Sequence, residues 1–483
     1  MIGWKKYWKI YLFFLLTVFY FFYVFRNTII SDPASFFLEA KDIAAGNWAL
    51  VGWNLSTVNF YFTEMIPFAI AIKLFGPHVS LLWLIPAAYY ALVMVLSLSI
   101  ARRNKFGMSV LFVMALPCTF AVFTTIDACI HIGALIIALI TINSMQRQPG
   151  AIAIALLAIL NAMAIFSDSL YFYFMTAPLL ISLLAWPVLF KERVEYKWLL
   201  MTILSVVIAF VMNKILSAVP HFYIQGYTPP EFVAIDKFWS NVYYMYYGLV
   251  HLFGADFYGK PIGDVAALKN FVRFVCTLSV LIFGIFYSLR TKSAHIIDRL
   301  LIVSIMALAV AFVFSNIPVD VRSVRYLVPL VFMLLIFIAR NVAINRQSVL
   351  LVLIPSFLIF VVNLSEWKTE YRNSAYVKVA KYIDSHDLGS GFGSFWLTTS
   401  VSIHSKKAIS IAPTIVEEQQ KRLRPYHWLS NEQWYTVKAR YYIASSDEEV
   451  AAMSEVFGKD YRLESVSGIR LMIYPDARII TSE

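Results

Sequence analysis

Cysteine is nearly missing from this chain. Its 483 residues hold only three, Cys118, Cys129 and Cys276, all within or beside apolar stretches. The polar C-terminal tail has none, so that part folds without disulfides whichever compartment holds it. Charge is also sparse, with Asp, Glu, Lys and Arg together making up 14% of the residues. No phosphate-cradling G-x-x-x-x-G-K-[ST] loop occurs, and no H-E-x-x-H, G-x-S-x-G or C-x-x-C. P-loop nucleotide hydrolysis, zinc proteolysis and serine-hydrolase chemistry therefore gain no support. Internal repeats and low-complexity tracts are absent too, which removes solenoid and linker-type readings.

Apolar residues fill the space that charge leaves. They make up 60% of the chain, aromatics 16%, and the mean hydropathy is +0.70. That composition reads as a polytopic α-helical membrane protein. Apolar stretches fall near 10–29, 79–101, 108–123, 129–144, 150–166, 170–190, 198–217, 271–290, 299–315, 326–340 and 348–365. Since a span takes roughly 20 residues, these predict about 11 transmembrane helices. A shorter apolar piece at 65–75 carries Lys73 and reads as interfacial or re-entrant. The N-terminal run follows lysines, as in a signal peptide. It is too long for one and lacks a small-residue cleavage site, so an uncleaved anchor is expected.

The net charge of +11 is unevenly placed. From Glu366 onward there are 15 basic and 15 acidic residues, so the other 25 basic and 14 acidic residues carry all of the excess. Loops alternate between basic sets, such as Lys191 and Lys197, and acidic sets, such as Asp32, Glu64, Asp168 and Asp256. A basic excess confined to membrane loops signals topology, not nucleic-acid binding. The positive-inside rule puts the N-terminus in the cytoplasm, and an odd span count puts the tail outside. Two domains are expected: a transmembrane part over 1–365 and an extracytoplasmic α/β domain over 366–483. In the tail, 375–385 and 448–457 read as helices, and 408–411, 441–444 and 468–474 as strands.

Three constellations carry chemistry. Asp32, Glu39 and Asp42 follow the first span, and spacings of seven and three put them on roughly one helix face. The segment 33–45 reads as an amphipathic helix on the membrane surface, where one carboxylate could take a proton from an acceptor hydroxyl. Equally, Asp32 before Pro33 is a good helix N-cap. Asp127, His131 and Asp168 lie at two further outer turns. Asp127 and His131, four apart, could hold a divalent metal with a third ligand, or could be loop-end caps. Arg322 and Arg325 are basic residues on the acidic side. If the segment is helical, both guanidinium groups point the same way and suit a phosphate, or else pair with Asp320. Lys260, His221 and His251 in the second long outer loop are weaker candidates of the same kind.

The layout resembles the GT-C superfamily of integral-membrane glycosyltransferases. The likeness rests on Ile30-Ser31-Asp32 after the first span and on Ala44-Ala45-Gly46-Asn47-Trp48 at the end of the first-loop helix. Phe166-Ser167-Asp168 and Arg322-Ser323-Val324-Arg325-Tyr326-Leu327 are similar to later family features. Length and outer tail resemble the serotype-converting glucosyltransferases that decorate O-antigen. The resemblance implies a polyprenyl-phosphate-linked sugar donor and a lipid-linked or surface glycan acceptor, such as that of lipopolysaccharide. It also implies an active site on the outer face of a bacterial inner membrane. Asp32 then serves as general base, with Glu39, Asp42 and Asp168 as competitors, and Arg322 and Arg325, with Lys260, as phosphate ligands. Pro33 stands where family members often carry a second acid, so no cofactor is certain and a divalent metal stays an open alternative. A secondary transporter or a polymerase-like envelope protein is the rival reading.

Overall fold

Each apolar stretch becomes helix in the computed structural model, which describes residues 2–25, 27–102, 104–191, 194–220, 222–226, 229–290, 295–343, 345–366, 374–407, 409–417, 422–436 and 438–478. Helix is the form that satisfies every backbone N–H and C=O within a single apolar segment. Among the described residues, eight helices are long and apolar enough to span a membrane. They run from Tyr7–Val24 to Arg346–Leu364. A ninth span forms if Gly107–Ala115 and Thr119–Asp127, bent by 84°, count as one. The bend has a local cause: Pro117 forces Leu116 into an extended conformation and leaves a gap in the helical hydrogen bonds. Two shorter apolar helices follow, Ile132–Met145 and Ala151–Ser167. The chain is a multi-pass membrane protein.

Two compact units divide the chain. A membrane unit comprises Met1–Tyr23, Pro86–Asn213 and Thr228–Thr369, and a tail unit comprises Val24–Ile85, Lys214–Tyr227 and Glu370–Glu483. The first outer loop thus belongs with the C-terminal tail, some hundreds of residues away in sequence.

In the membrane unit, Tyr196–Ser217 leaves most of its apolar side chains exposed, while Val321–Asn341 is mostly buried. The buried helix carries Arg340, whose Nε donates to Asp298 Oδ1 at 2.8 Å and whose Nη1 donates to the carbonyl of Ile100. Asn341 donates to the same Asp298 oxygen at 2.9 Å. Both charges are almost fully buried, and each depends on the other for compensation.

The tail unit holds two sheets. A small one joins β1 (Trp53–Leu55), β2 (Tyr223–Ile224) and β6 (Ser430–Asn431), with β1 central, parallel to β2 and antiparallel to β6. The main sheet has the order β5-β4-β3-β7-β9-β8. Its strands are β3 (Gly391–Gly393), β4 (Ile411–Glu417), β5 (Arg422–Pro425), β7 (Ala439–Ala444), β8 (Arg462–Val466) and β9 (Ile469–Arg478). β3 runs parallel to both of its neighbours, β4 and β7, and the remaining pairs are antiparallel. Gly391 is required in β3 because a Cβ there would overlap the ring of Tyr441. The helices Ser374–Ser385 and Asp447–Phe457 match the sequence reading, as do β7 and β9. The strand expected over 408–411 starts at Ile411; Ala408 lies outside the described residues. β3, β5, β8 and the helix Phe395–Ser402 were not anticipated. Three- to five-residue strands with little alternation give no period to read.

Asp298→Ala is expected to lower stability by about 3 kcal/mol, since it strands the Arg340 charge in the interior. The double change Asp298→Leu with Arg340→Met is expected to recover most of that loss. Thermal unfolding in detergent of the two variants and the wild type checks both outcomes.

Candidate functional site

The first-loop helix, Ser31–Ala45, begins one residue before Asp32. Its N-cap is Ile30, in an extended conformation and without a side-chain cap. Asp32 therefore sits inside the first turn, and the capping role available from sequence does not apply to it. At the other end Gly46, at φ +111°, closes the helix through hydrogen bonds to the carbonyls of Asp42 and Ile43. A left-handed closure of this kind favours glycine.

This helix does not lie on a surface. Ser31, residues 33–37, Glu39 and Ala40 are all buried. It packs on the apolar helix Ile66–Phe75 and on Phe395–Ser402 of the C-terminal tail. Ser31 Oγ donates to the carbonyl of Phe395 at 2.6 Å and lies 3.3 Å from Ser400 Oγ. Thr399 Oγ1 donates to the carbonyl of Ser31 at 3.1 Å, and Ser35 donates to Thr399 at 3.3 Å. Small polar side chains at 31 and 35 let the two helices approach closely. An amphipathic pattern cannot show that contact, because the partner lies far away in sequence.

The three carboxylates of this helix occupy three different settings. Asp42 Oδ2 accepts the indole Nε1–H of Trp53 at 2.8 Å, which ties the helix to β1. Glu39 is fully buried, and neither carboxyl oxygen has a hydrogen-bond partner among the described residues. Burial pushes the Glu39 carboxyl well above its ordinary range, and the nearby Asp42 charge adds to the effect. Asp32 is half-buried. Its charge reaches the hydroxyl of Tyr426, where burial first, and then Asp32, raise the phenol above its usual value. Tyr426 packs edge-on against Phe395, with ring centres 5.5 Å apart.

In the membrane unit, Asp168 ends the helix Ala151–Ser167 and is fully buried. Its Oδ2 lies 2.7 Å from His131 Nδ1, and its Oδ1 accepts the backbone N–H of Leu170. His131 has φ +65° and packs against the ring of Tyr326 at 5.5 Å. The helical spacing expected between Asp127 and His131 is not present. Asp127 ends one helical segment and His131 starts the next, with Cys129 and His131 both in left-handed conformations between them. The i,i+4 geometry assumed from spacing is lost at that break. No group of three or more His, Cys, Asp or Glu side chains suited to a metal occurs among the described residues.

Arg322 and Arg325 lie on the short 3-10 turn Val321–Leu327. Residues three apart lie one turn apart in such a helix, and here Arg322 is exposed while Arg325 is half-buried. Asp320 accepts from the backbone and hydroxyl of Ser323 in a capping box. Arg322 is exposed and has no ion pair among the described residues. Arg325 is half-buried and donates to the hydroxyl of Tyr326 at 3.2 Å. Lys260 pairs with Asp256 at 3.3 Å and also donates to its carbonyl, so its charge is locally compensated. His251 packs between Tyr247 and Phe120, and Tyr243, Tyr247 and His251 form a ridge along the helix Ile235–Leu252. His221 lies outside the described residues. Sequence reasoning missed Arg273, which is buried and bonded to Asn363, Asn270, the Gly254 carbonyl and Glu366. An arginine inside an apolar span was the available signal.

No family model matches the chain, and no curated protein matches it. Among solved structures, the crystal structure of ArnT from Cupriavidus metallidurans bound to undecaprenyl phosphate matches with a TM-score of 0.58 and 13% sequence identity. The match covers 98% of this chain and 99% of that one. The chain thus has an ArnT-like fold over nearly its whole length, in keeping with the likeness read from the sequence.

Because the Glu39 pKa is raised in the folded state, folding holds its proton and that contribution fades as pH rises. Stability is expected to fall with pH above about 4.3, the ordinary glutamate value. Glu39→Gln is expected to flatten that fall and to raise the unfolding temperature at neutral pH. Thermal unfolding as a function of pH checks it; an unchanged profile would show that Glu39 is not the neutral acid described.

Proposed function

We propose that the chain is a lipid-phosphate-sugar-dependent glycosyltransferase. It moves a hexose, with glucose the candidate, from a polyprenyl-phosphate donor to a cell-envelope glycan such as O-antigen. The observation that carries this reading is the end-to-end fold match with ArnT, whose structure holds undecaprenyl phosphate. The composition agrees: donor energy already resides in the phosphosugar bond, and the chain has no P-loop. The loop charges support a cytoplasmic N-terminus and a tail outside a bacterial inner membrane.

Sugar transfer needs an acceptor oxygen that loses its proton as it attacks, and a leaving phosphate whose charge is neutralised. Asp32, half-buried in the first turn of the outer-loop helix, is the proposed base. Burial raises the Glu39 carboxyl well above its ordinary range, Asp42 accepts from Trp53, and Asp168 lies against His131. In the proposed step Asp32 takes the acceptor proton, the acceptor oxygen bonds the anomeric carbon, and polyprenyl phosphate leaves with the electrons of the broken bond. Arg322, exposed and without an ion pair among the described residues, is the first candidate for the donor phosphate, with Arg325 on the same turn; both belong to the membrane unit, whereas Asp32 belongs to the tail unit. Lys260, already paired with Asp256, ranks behind them.

Purified protein in detergent should consume a polyprenyl-phosphate sugar in the presence of acceptor. Asp32→Asn is expected to cut transfer by about 10²- to 10⁴-fold, the usual contribution of a general base, with expression and unfolding temperature unchanged. Full activity in that variant removes Asp32 from the role. Arg322→Ala is expected to raise the donor KM by about tenfold, as loss of one charge-assisted contact implies. An unchanged donor KM would remove Arg322 from the phosphate site.

A further inference from the structure

The tail domain has a reversal point in its main sheet. The chain leaves β3, crosses through the helix Phe395–Ser402 to β4 on one side, and later returns to β7 on the other side. In open sheets with parallel central strands, ligands settle outside the carboxyl ends of the strands at such a point. A crevice of about 490 Å³ lies there. Its walls include Ser394, which follows β3, Thr414 and Val416 of β4, and Ser446, which follows β7. The volume falls within the range of small-ligand sites.

The lining is specific in its chemistry. Trp396 is 60% exposed although it adjoins the buried Phe395. An exposed indole offers a flat apolar face with a polar edge, which suits the C–H face of a pyranose ring. The Ser394 and Tyr426 hydroxyls have no hydrogen-bond partner among the described residues. Glu449 accepts from Tyr442 and Ser445, and Glu448, exposed at the crevice edge, is the second carboxylate in the lining.

The crevice also opens on the N-terminus of the helix Asp447–Phe457, where phosphates often bind. Here Ser446 Oγ accepts from the Glu449 N–H, and Asp447, Glu448 and Glu449 fill the first turn. The backbone N–H of Glu448 itself, and then the Ser446 hydroxyl, hold the Glu448 carboxyl below its usual range, so it is charged. A negative group would meet that charge. A hydroxyl-rich, non-anionic ligand would not.

We propose that this crevice binds the acceptor glycan, holding a neutral or amine-bearing sugar ring on Trp396 with Ser394, Tyr426 and Glu448 on its hydroxyls. Only the word acceptor rests on the transferase reading. Tyr426 links the crevice to Asp32, because it lines the first and responds to the charge of the second. Phe395, also in the crevice wall, gives its carbonyl to Ser31, the neighbour of Asp32. A glycan held here would extend toward the proposed base.

The test uses the full-length protein in detergent, with maltohexaose, laminarihexaose and delipidated O-polysaccharide as binding probes. Titration calorimetry should find binding of at least one probe to the wild type. Trp396→Ala should weaken it about tenfold, as expected for an aromatic anchor, with the unfolding temperature unchanged. Inorganic phosphate should not compete. Asp32→Asn should bind as wild type does. In transfer assays Trp396→Ala should raise the acceptor KM and leave the donor KM alone. Failure of every probe to bind the wild type, wild-type affinity in Trp396→Ala, or displacement by phosphate overturns the site. Transfer that proceeds with an unchanged acceptor KM in Trp396→Ala overturns the crevice and leaves the transferase reading standing. Glycan binding without donor consumption does the reverse.

Discussion

Two serines one helical turn apart, Ser31 and Ser35, hold the first outer loop to a segment 364 residues later in the chain. Their hydroxyls bond Phe395, Thr399 and Ser400, in a contact fully removed from water. Buried polar groups of this kind are costly unless paired, so the bonds specify which helix docks and in what register. Much of the tail unit follows from that contact. It orients the first turn that carries Asp32 and fixes the carbonyl of Phe395. It also sets the start of the crossover helix, where Trp396 faces out. Loosening this contact would disturb the proposed base and the proposed glycan crevice together.

The same helix shows how environment divides similar carboxylates. Asp32, Glu39 and Asp42 lie within eleven residues of sequence, yet one is half-exposed, one fully buried with its carboxyl pushed above its ordinary range, and one held by an indole. Pairs of acids pushed apart in this way are how one site obtains distinct acid and base roles. Burial and the nearby Asp42 charge both favour the protonated form of Glu39. A carboxylate in the first turn, by contrast, meets the free N–H groups of the helix start, which favour negative charge. That difference in setting is the physical support for Asp32 as the proposed base.

The membrane part was legible in the sequence because its signal is long and additive. Most of each apolar stretch became helix, while the break at Pro117 within 108–123 went unread because the hydropathy runs through it. The first-loop helix was legible as helix but not in its surroundings, since Ser31 and Ser35 look like ordinary polar positions until Thr399 and Ser400 are beside them. Asp127 and His131 misled for a related reason: spacing assumes continuous helix, and the left-handed residues Cys129 and His131 interrupt it. His131 and Asp168 belong to separate turns, so no local pattern could pair them. The tail was half legible. Its longer helices and strands β7 and β9 carry clear periods, whereas β3 is three residues long and holds two glycines. The residue pattern that matters most there, Ser394 and Trp396 after a glycine-rich strand, has meaning only once β4 and β7 flank it.

The acidic first turn of the helix Asp447–Phe457 adds a selective element to that arrangement. A bare helix start at the reversal point of a sheet attracts phosphate. A polyprenyl-phosphate enzyme that works with phosphorylated donor and releases phosphorylated product would expose such a start to both. Filling it with Ser446, Asp447, Glu448 and Glu449 removes that attraction and leaves a crevice lined by hydroxyls, carboxylates and an indole face. Discrimination then comes from repulsion as much as from attraction. In the proposed reading the acceptor, a chain of hydroxyls, would gain stacking and hydrogen bonds there, while the phosphate-bearing donor and product would gain nothing. Placing the discriminating charge on a rigid helix turn, with Glu449 anchored to Tyr442 and Ser445, keeps it fixed as ligands exchange.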